Sequence, residues 1–140
     1  MQILVVDAQG GGIGKQLVSM LKQRVEGAVV TAVGTNSLAT SAMLRAGADS
    51  AATGENAVIV CARKADVIVG PVGIVIADAL LGEVTPRMAA AVGQSRARKV
   101  LIPVDQCGNR VVGVPAGTTT AQLVALAVEA ICRPGADAKS

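Results

Sequence analysis

Residues 2–15 read QILVVDAQGGGIGK, and this stretch decides the fold class. Residues 2–6 form a continuous apolar run ending at Asp7, the pattern of a buried parallel strand. Gly10–Gly14 then predict a turn, and apolar residues recur at helical spacing from Ile13 to Val25. A strand, a glycine turn and a helix in this order indicate the opening of a Rossmann-like unit.

Strands and helices alternate along the rest of the chain. Further strands are predicted at 28–33, 48–52, 66–69, 99–104 and 111–114. Helices are predicted from the turn at 34–37 to Gly47, from the turn at 53–56 to Lys64, over 73–81, from Pro86 with a Thr85 cap, and over 119–132 with a Thr118 cap. This alternation predicts a doubly wound, mostly parallel, three-layer Rossmann-like α/β fold. We expect one domain over 1–132 and a flexible tail over 133–140.

Ligands of such folds bind at the carboxyl ends of the strands. The turns at that edge are predicted at 7–14, 34–36, 70–73 and 103–107. Glycines let backbone N–H groups approach a ligand closely, and a helix N-terminus favours an anion. The sequence therefore predicts a small phosphorylated ligand or nucleotide, with binding residues Gln9, Gly10, Gly11, Gly12, Ile13, Gly14, Thr35, Asn36, Gly70 and Pro71.

The glycine turn does not decide which ligand binds. The dinucleotide pattern GxGxxG requires glycine where Lys15 stands, and the P-loop pattern meets Gln9 and Gln16 at two of its positions. The short-chain dehydrogenase pattern meets Ala8 at its first glycine, and the chain has no tyrosine. NAD(P) is the first guess among nucleotides, and a turn that binds nothing is the alternative.

The end of the second predicted strand gives weaker support to NAD(P). A dinucleotide fold normally places Asp or Glu there for the ribose hydroxyls. This chain has Gly34-Thr35-Asn36-Ser37 instead. Thr35 and Asn36 could hydrogen-bond a ribose or a 2′-phosphate. Alternatively, Asn36 or Ser37 caps the following helix.

Few side chains remain for catalysis, because the chain has no histidine and no aromatic residue. The candidate carboxylates are Glu83, Glu55 and Asp7, with Lys15 and Cys107 as further possibilities. Each carboxylate also has a structural interpretation: Asp7 would hydrogen-bond its own turn, Glu55 would stabilise a helix start, and Glu83 would lie in a surface turn. No metal site is predicted.

The composition disfavours a nucleic-acid or membrane partner and favours a cytoplasmic location. Without aromatic side chains the chain lacks the stacking platforms of single-stranded nucleic-acid binders, and no apolar run is long enough to cross a bilayer. Its three widely spaced cysteines suit a reducing cytoplasm.

The low content of charged residues points to a homo-oligomer. Charged residues make up 16 % of the chain, against about 25 % in ordinary domains. Because 74–81 and 121–131 are apolar almost all round, we expect a homo-oligomer, a two-fold dimer, with one of these segments at the contact.

Several blocks together carry a family resemblance. The blocks are VVDAQGGGIGK, GTNSLAT with MLRAGA, TGENA, ADVIVGPVGI, and GEVTP with KVLIPV. They resemble a family of short, uncharacterised bacterial proteins that carries a domain-of-unknown-function label and is frequent in anaerobes. The resemblance extends to about residue 114 and departs at Ala8, where the family is expected to have glycine. It implies a bacterial cytosolic protein and implies no activity.

Two other functions stay open beside nucleotide binding. The first is a non-catalytic interaction or scaffold module in an oligomeric assembly. The second is a small kinase or NTP-hydrolysing protein, which the absence of Ser or Thr after Lys15 disfavours.

Overall fold

The computed structural model describes residues 1–104 and 108–133. Its strands are β1 Gln2–Asp7, β2 Val29–Gly34, β3 Ser50–Thr53, β4 Val67–Pro71 and β5 Arg98–Ile102. Its α-helices are α1 Gly12–Arg24, α2 Ser37–Arg45, α3 Glu55–Ala62, α4 Pro86–Gln94 and α5 Thr120–Cys132. A single 3₁₀ turn, Val72–Val75, follows β4.

The described strands form one parallel sheet in the order β3-β2-β1-β4-β5. The chain runs outward from β1 to β3 and then returns to β4 on the other side of β1. The boundary between β1 and β4 is therefore the topological switch point, outside which α/β proteins bind ligands.

The helices cover both faces of the sheet. One core cluster joins the sheet to α1, α2 and α5, and includes Leu17, Met43 and Val128. A second joins the opposite face to α3 and α4, and includes Val58 and Met88. The predicted three-layer Rossmann-like α/β fold is confirmed.

Local capping explains where three helices begin. The Asn36 and Thr85 side chains accept hydrogen bonds from Ala39 N and Met88 N, so each serves as an N-cap. The last helix is capped by Thr119 in a capping box with Gln122, not by Thr118 as predicted. The Thr118 hydroxyl instead donates to the Pro115 carbonyl at 2.6 Å.

The predicted helix over 73–81 is wrong. After the 3₁₀ turn the chain passes through consecutive turns, and Asp78 N donates to Val84 O at 2.8 Å to close a compact loop. Ile74, Ala79 and Leu80 are buried in the core. The apolar run reflects this burial of single residues, not a helix face.

The predicted strand at 111–114 is also wrong. Residues 112–113 form a turn, and Val112 is 85 % exposed. The β-branched valines are typical of a strand, but no neighbouring strand of the described chain pairs with them. The single domain over 1–132 stays a prediction, and the tail expected over 133–140 lies outside the described residues from 134 onward.

None of the described helices has the length and apolarity needed to cross a membrane.

Candidate functional site

The glycine turn, residues Asp7–Gly14, lies at the carboxyl end of β1. Asp7 is buried, and its carboxylate accepts hydrogen bonds from Ala8 N at 2.8 Å and Gly14 N at 2.6 Å. Gly11 adopts a left-handed conformation with φ 73° as the N-cap of α1, and its N–H donates to Ala8 O. The Asp7 carboxylate therefore holds the two ends of the turn together through these hydrogen bonds.

Two glycines of this turn are required by the fold. A Cβ on Gly11 would lie 2.8 Å from Ala39 Cα, and its positive φ already favours glycine. A Cβ on Gly14 would lie 2.5 Å from Met43 Sδ and 2.9 Å from Asp7 Cβ. Gly11 and Gly14 are thus explained by the close approach of α2.

The other two glycines have no such explanation. Gly10 and Gly12 are exposed, their φ values are not in the left-handed region, and a Cβ on either would meet no atom within 4 Å. In the described chain, the N–H groups of Gly10, Gly12 and Ile13 find no hydrogen-bond acceptor. Packing does not require glycine at these two positions, yet glycine leaves their backbone accessible.

A cleft of about 310 Å³ lies over this turn. Its other walls come from Pro71 at the end of β4 and Thr120 at the start of α5, so the cleft opens at the switch point. The lining residues are Asp7, Ala8, Gln9, Gly10, Gly11, Gly12, Ile13, Gln16, Pro71, Leu80 and Thr120.

Beside the cleft, four predicted residues form one hydrogen-bonded group, the Glu83 cluster of Gln9, Thr35, Asn36 and Glu83. Glu83 Oε1 accepts from Thr35 Oγ1 at 2.7 Å, Asn36 Nδ2 at 2.7 Å and Gln9 N at 2.9 Å. Asn36 Nδ2 also donates to Gln9 O at 3.0 Å. A carboxylate from the β4–α4 connection is thereby held at the carboxyl ends of β1 and β2.

The Glu83 carboxylate is stabilised in its ionised form. Partial burial raises the pKa of Glu83, but hydrogen bonds from Thr35, the Gln9 backbone and Asn36 together outweigh burial. The net result is a pKa below the ordinary glutamate value. At neutral pH this group is therefore an anionic hydrogen-bond acceptor.

The loop that positions Glu83 beside Thr35 and Asn36 has an unusual backbone conformation. Asp78, Leu80 and Leu81 have positive φ values of 65°, 57° and 59°. Leucine in the left-handed region costs about 1–2 kcal/mol per residue. Burial of Leu80 and the hydrogen bonds of Glu83 offset this strain.

The structure does not bring every predicted residue to the cleft. Glu55 Oε1 accepts from Thr85 Oγ1 at 2.6 Å, and Glu55 Oε2 lies 4.0 Å from Arg87 Nη1, so Glu55 connects the starts of α3 and α4. Lys15 is exposed on the outer side of α1. A Cβ on Gly70 would lie 2.3 Å from Val6 O, so this glycine serves strand packing. Cys107 lies outside the described residues.

Sequence reasoning missed four lining residues, Ala8, Gln16, Leu80 and Thr120. Thr120 follows a recognisable N-cap, so the start of α5 could have been placed at the ligand edge from the strand–helix alternation. Leu80 lies in the segment for which the sequence predicts a helix, so no sequence signal places it in the cleft. Among the described residues no group of three potential metal ligands occurs.

Comparison with known proteins identifies a family and a distant structural likeness. A family model described as "Domain of unknown function (DUF3842)" matches residues 2–134. No curated protein matches the chain. The crystal structure titled dodecameric FMN-dependent Ubix-like decarboxylase from Escherichia coli O157:H7 is similar with 19 % identity and a TM-score of 0.49. The alignment covers 94 % of this chain and 76 % of that chain. A likeness this distant says nothing about ligand or assembly here.

Proposed function

The chain belongs to the DUF3842 family, whose description names no activity, and we propose that it binds the phosphate of a nucleotide at the glycine turn. NAD(P) remains the first choice among nucleotides. The proposal rests on the accessible glycines Gly10 and Gly12, which the fold does not need and which border the cleft.

An anion suits this place for three physical reasons. The N–H groups of Gly10, Gly12 and Ile13 are free to donate within the described chain. The start of α1 carries the positive end of the helix dipole. Without side chains at Gly10 and Gly12, a phosphate oxygen can come within hydrogen-bond distance of the backbone.

The position in the fold favours a nucleotide over a free anion. The cleft lies at the switch point, and Thr120 at the start of α5 adds a hydroxyl on its far side. A nucleotide phosphate at the turn would leave its ribose near the ends of β1 and β2, where Gln9, Thr35 and Asn36 lie. This is the arrangement by which Rossmann-like folds hold dinucleotides.

The test pairs two glycines that both tolerate a side chain. Gly12→Val fills the proposed phosphate position, whereas Gly93→Val adds the same side chain in α4, where a Cβ also meets nothing within 4 Å. We expect ADP, NAD or inorganic phosphate to raise the Tm of the parent protein and of the Gly93 variant, but not that of the Gly12 variant. Circular dichroism of all three proteins checks that the fold is kept. Equal ligand-induced shifts in the two variants would refute the proposed site.

Any catalysis would depend on few groups. The chain contains no tyrosine and no histidine, so dehydrogenation of the short-chain type is not proposed. Among the predicted carboxylates, Asp7 lines the cleft and Glu83 binds the cleft residue Gln9, whereas Glu55, at the same edge of the sheet, binds Thr85 instead. Asp7 is engaged by its own turn. If the protein is an enzyme, Glu83 is the carboxylate to test. We place the protein in the cytoplasm, where the free thiols of Cys61 and Cys132 stay reduced.

One observation favours the alternative role in an assembly. Leu126 on the outer side of α5 is 58 % exposed and borders a groove of about 560 Å³ that also includes Val114 and Pro115. Of the two contact segments predicted, 74–81 buries Ile74 and Leu80 in its own core, so α5 is the one proposed for a two-fold dimer.

Light scattering tests the dimer directly. We expect the mass in solution to be twice 13.9 kDa and Leu126→Glu to give the monomer, because a buried unpaired charge opposes association. Leu38→Glu is the matched control, since Leu38 is a similarly exposed leucine on α2. A monomeric parent protein would end this proposal and leave nucleotide binding untouched.

A further inference from the structure

We infer that Glu83 recognises the ribose of the bound nucleotide and that the site selects a ribose with a free 2′-hydroxyl over one with a 2′-phosphate. This rests on the proposed function. In dinucleotide folds an Asp or Glu at the end of the second strand accepts hydrogen bonds from the ribose. Here that strand ends at Gly34 and is followed by Thr35 and Asn36, and the carboxylate held there comes from Glu83, 48 residues after Thr35.

The carboxylate has one oxygen fixed and one available. Oε1 takes all three hydrogen bonds from Thr35, Asn36 and Gln9. Oε2 accepts none from any residue in the described ranges. Three donors on one oxygen fix the position of the group, so Oε2 can accept from a sugar hydroxyl without first being ordered.

The cluster shares a residue with the phosphate cleft. Gln9 donates its N–H to Glu83 and also lines the cleft over the glycine turn. A ribose attached to a phosphate in that cleft therefore has the Glu83 carboxylate at the adjoining wall. Gln9 has a positive φ of 53°, which turns its backbone into this shared position.

Charge decides which sugars fit. An ionised carboxylate accepts hydrogen bonds from hydroxyls and repels a phosphate, which carries the same sign of charge. No lysine or arginine among the described residues forms an ion pair with Glu83; Arg87, four residues further along the chain, pairs with Glu55. Sites that accept a 2′-phosphate usually provide an arginine for it.

Thr35 and Asn36 do not offer an alternative phosphate site while Glu83 is in place. Both donate to Glu83 Oε1, and the side-chain oxygen Oδ1 of Asn36 already accepts from Ala39 N as the cap of α2. A 2′-phosphate could reach these donors only by displacing the carboxylate. The displaced Glu83 would lose three hydrogen bonds while remaining tethered in the loop that Leu80 anchors in the core.

The test uses ligand pairs that differ only at the ribose 2′ position. Isothermal titration calorimetry compares NAD with NADP, and ADP with 2′-deoxy-ADP, on the parent protein, Glu83→Gln and Glu55→Gln. We expect the parent protein to bind NAD at least about tenfold more tightly than NADP, and ADP about tenfold more tightly than 2′-deoxy-ADP, the scale of one hydrogen bond to a charged group. Glu83→Gln should reduce both ratios to about threefold or less, and Glu55→Gln should leave them unchanged.

The outcomes separate this inference from the proposed function. If no nucleotide binds the parent protein, the proposed function fails and the inference fails with it. If nucleotides bind but the parent protein does not discriminate within either pair, or if Glu83→Gln retains the discrimination, only the role of Glu83 is overturned. Should Glu83→Gln fail to fold, as circular dichroism would reveal, equal binding within each pair by the parent protein would still overturn the inference, and discrimination within both pairs would support the predicted selectivity.

Discussion

The glycine turn and the segment of residues 72–85, here called the β4–α4 segment, meet at the Glu83 cluster but are held in place differently. In the glycine turn, Gly11 has the positive φ that glycine adopts without strain, and Asp7 binds the turn with local hydrogen bonds. In the β4–α4 segment, leucines occupy left-handed conformations that leucine disfavours. Most of the glycine turn is therefore held by its own residues. Gln9, which also has a positive φ, and the β4–α4 segment depend on distant contacts.

The largest expected effect lies in the glycine turn. Gly11→Ala should lower the free energy of unfolding by about 2–4 kcal/mol, because the new Cβ meets the α2 backbone and the left-handed φ becomes strained. Gly12→Ala should change it by less than about 0.5 kcal/mol. Urea denaturation of the two variants measures the contrast. Equal losses would show that the division of the turn into packing and accessible glycines is wrong.

Asp7→Ala should lower the free energy of unfolding by about 2–3 kcal/mol, because it leaves the N–H groups of Ala8 and Gly14 without their carboxylate acceptor. Asp66→Ala is the control, since Asp66 also accepts a backbone N–H, that of Gln2, but at an exposed position. Its effect should be clearly smaller. Thermal and urea unfolding both report the difference, and a similar loss in the two variants would contradict the bracing role of Asp7.

The tertiary contact at Glu83 should depend on pH. Because the pKa of Glu83 is lowered in the folded protein, its contribution to stability is present above the ordinary glutamate pKa and is lost as the pH falls through the lowered folded value. Parent protein should therefore exceed Glu83→Gln in stability at neutral pH, and the difference should shrink in acid. The pKa of Asp49 is also lowered, by Lys22 and the Val30 N–H. Because Asp49 is present in both proteins, its effect cancels in the stability difference. A difference that stays constant with pH would show that the Glu83 charge does not contribute.

The smallest effect is expected at the strained backbone of the β4–α4 segment. Leu81 is 96 % exposed, so replacing it with glycine removes little packing and relieves the left-handed strain. Leu81→Gly should stabilise the protein by up to about 1 kcal/mol after the entropic cost of glycine. Leu38→Gly, at an exposed position inside α2, should destabilise it by about 1 kcal/mol. Opposite signs in urea unfolding would confirm the contrast; destabilisation by both changes would refute it.

The regular elements of the fold could be predicted from the sequence because their signals are local. The apolar run of β1, the Asn36 cap of α2 and the Thr85-Pro86 start of α4 all lie where the pattern indicates. The predictions were wrong at 73–81 and 111–114. Residues 73–81 form a loop whose apolar residues are buried one by one, and residues 111–114 have no neighbouring strand in the described chain. Composition cannot distinguish an apolar helix from an apolar loop whose residues are buried one by one.

The candidate site divides in the same way. The residues of the glycine turn could be named in advance, since strand, glycines and helix are contiguous. The sequence marks Glu83, Thr35 and Asn36 as separate candidates, but it does not predict that they meet, because Glu83 follows Thr35 by 48 residues. The start of α5 could be placed at this edge of the sheet in advance, but only the packing of α5 beside α1 brings Thr120 to the cleft.

By itself the sequence determined the alternation of strands and helices, the Rossmann-like class and the glycine turn, because each depends on the spacing of neighbouring residues. Only the tertiary structure decided which glycines serve packing and which leave the backbone accessible, since that depends on how closely α2 approaches. It also decided that Glu83 supplies the carboxylate at the end of β2. The physical reason is that a loop with left-handed leucines is unfavourable locally. It is held by burial of Leu80 and by hydrogen-bond donors from the turns after β1 and β2.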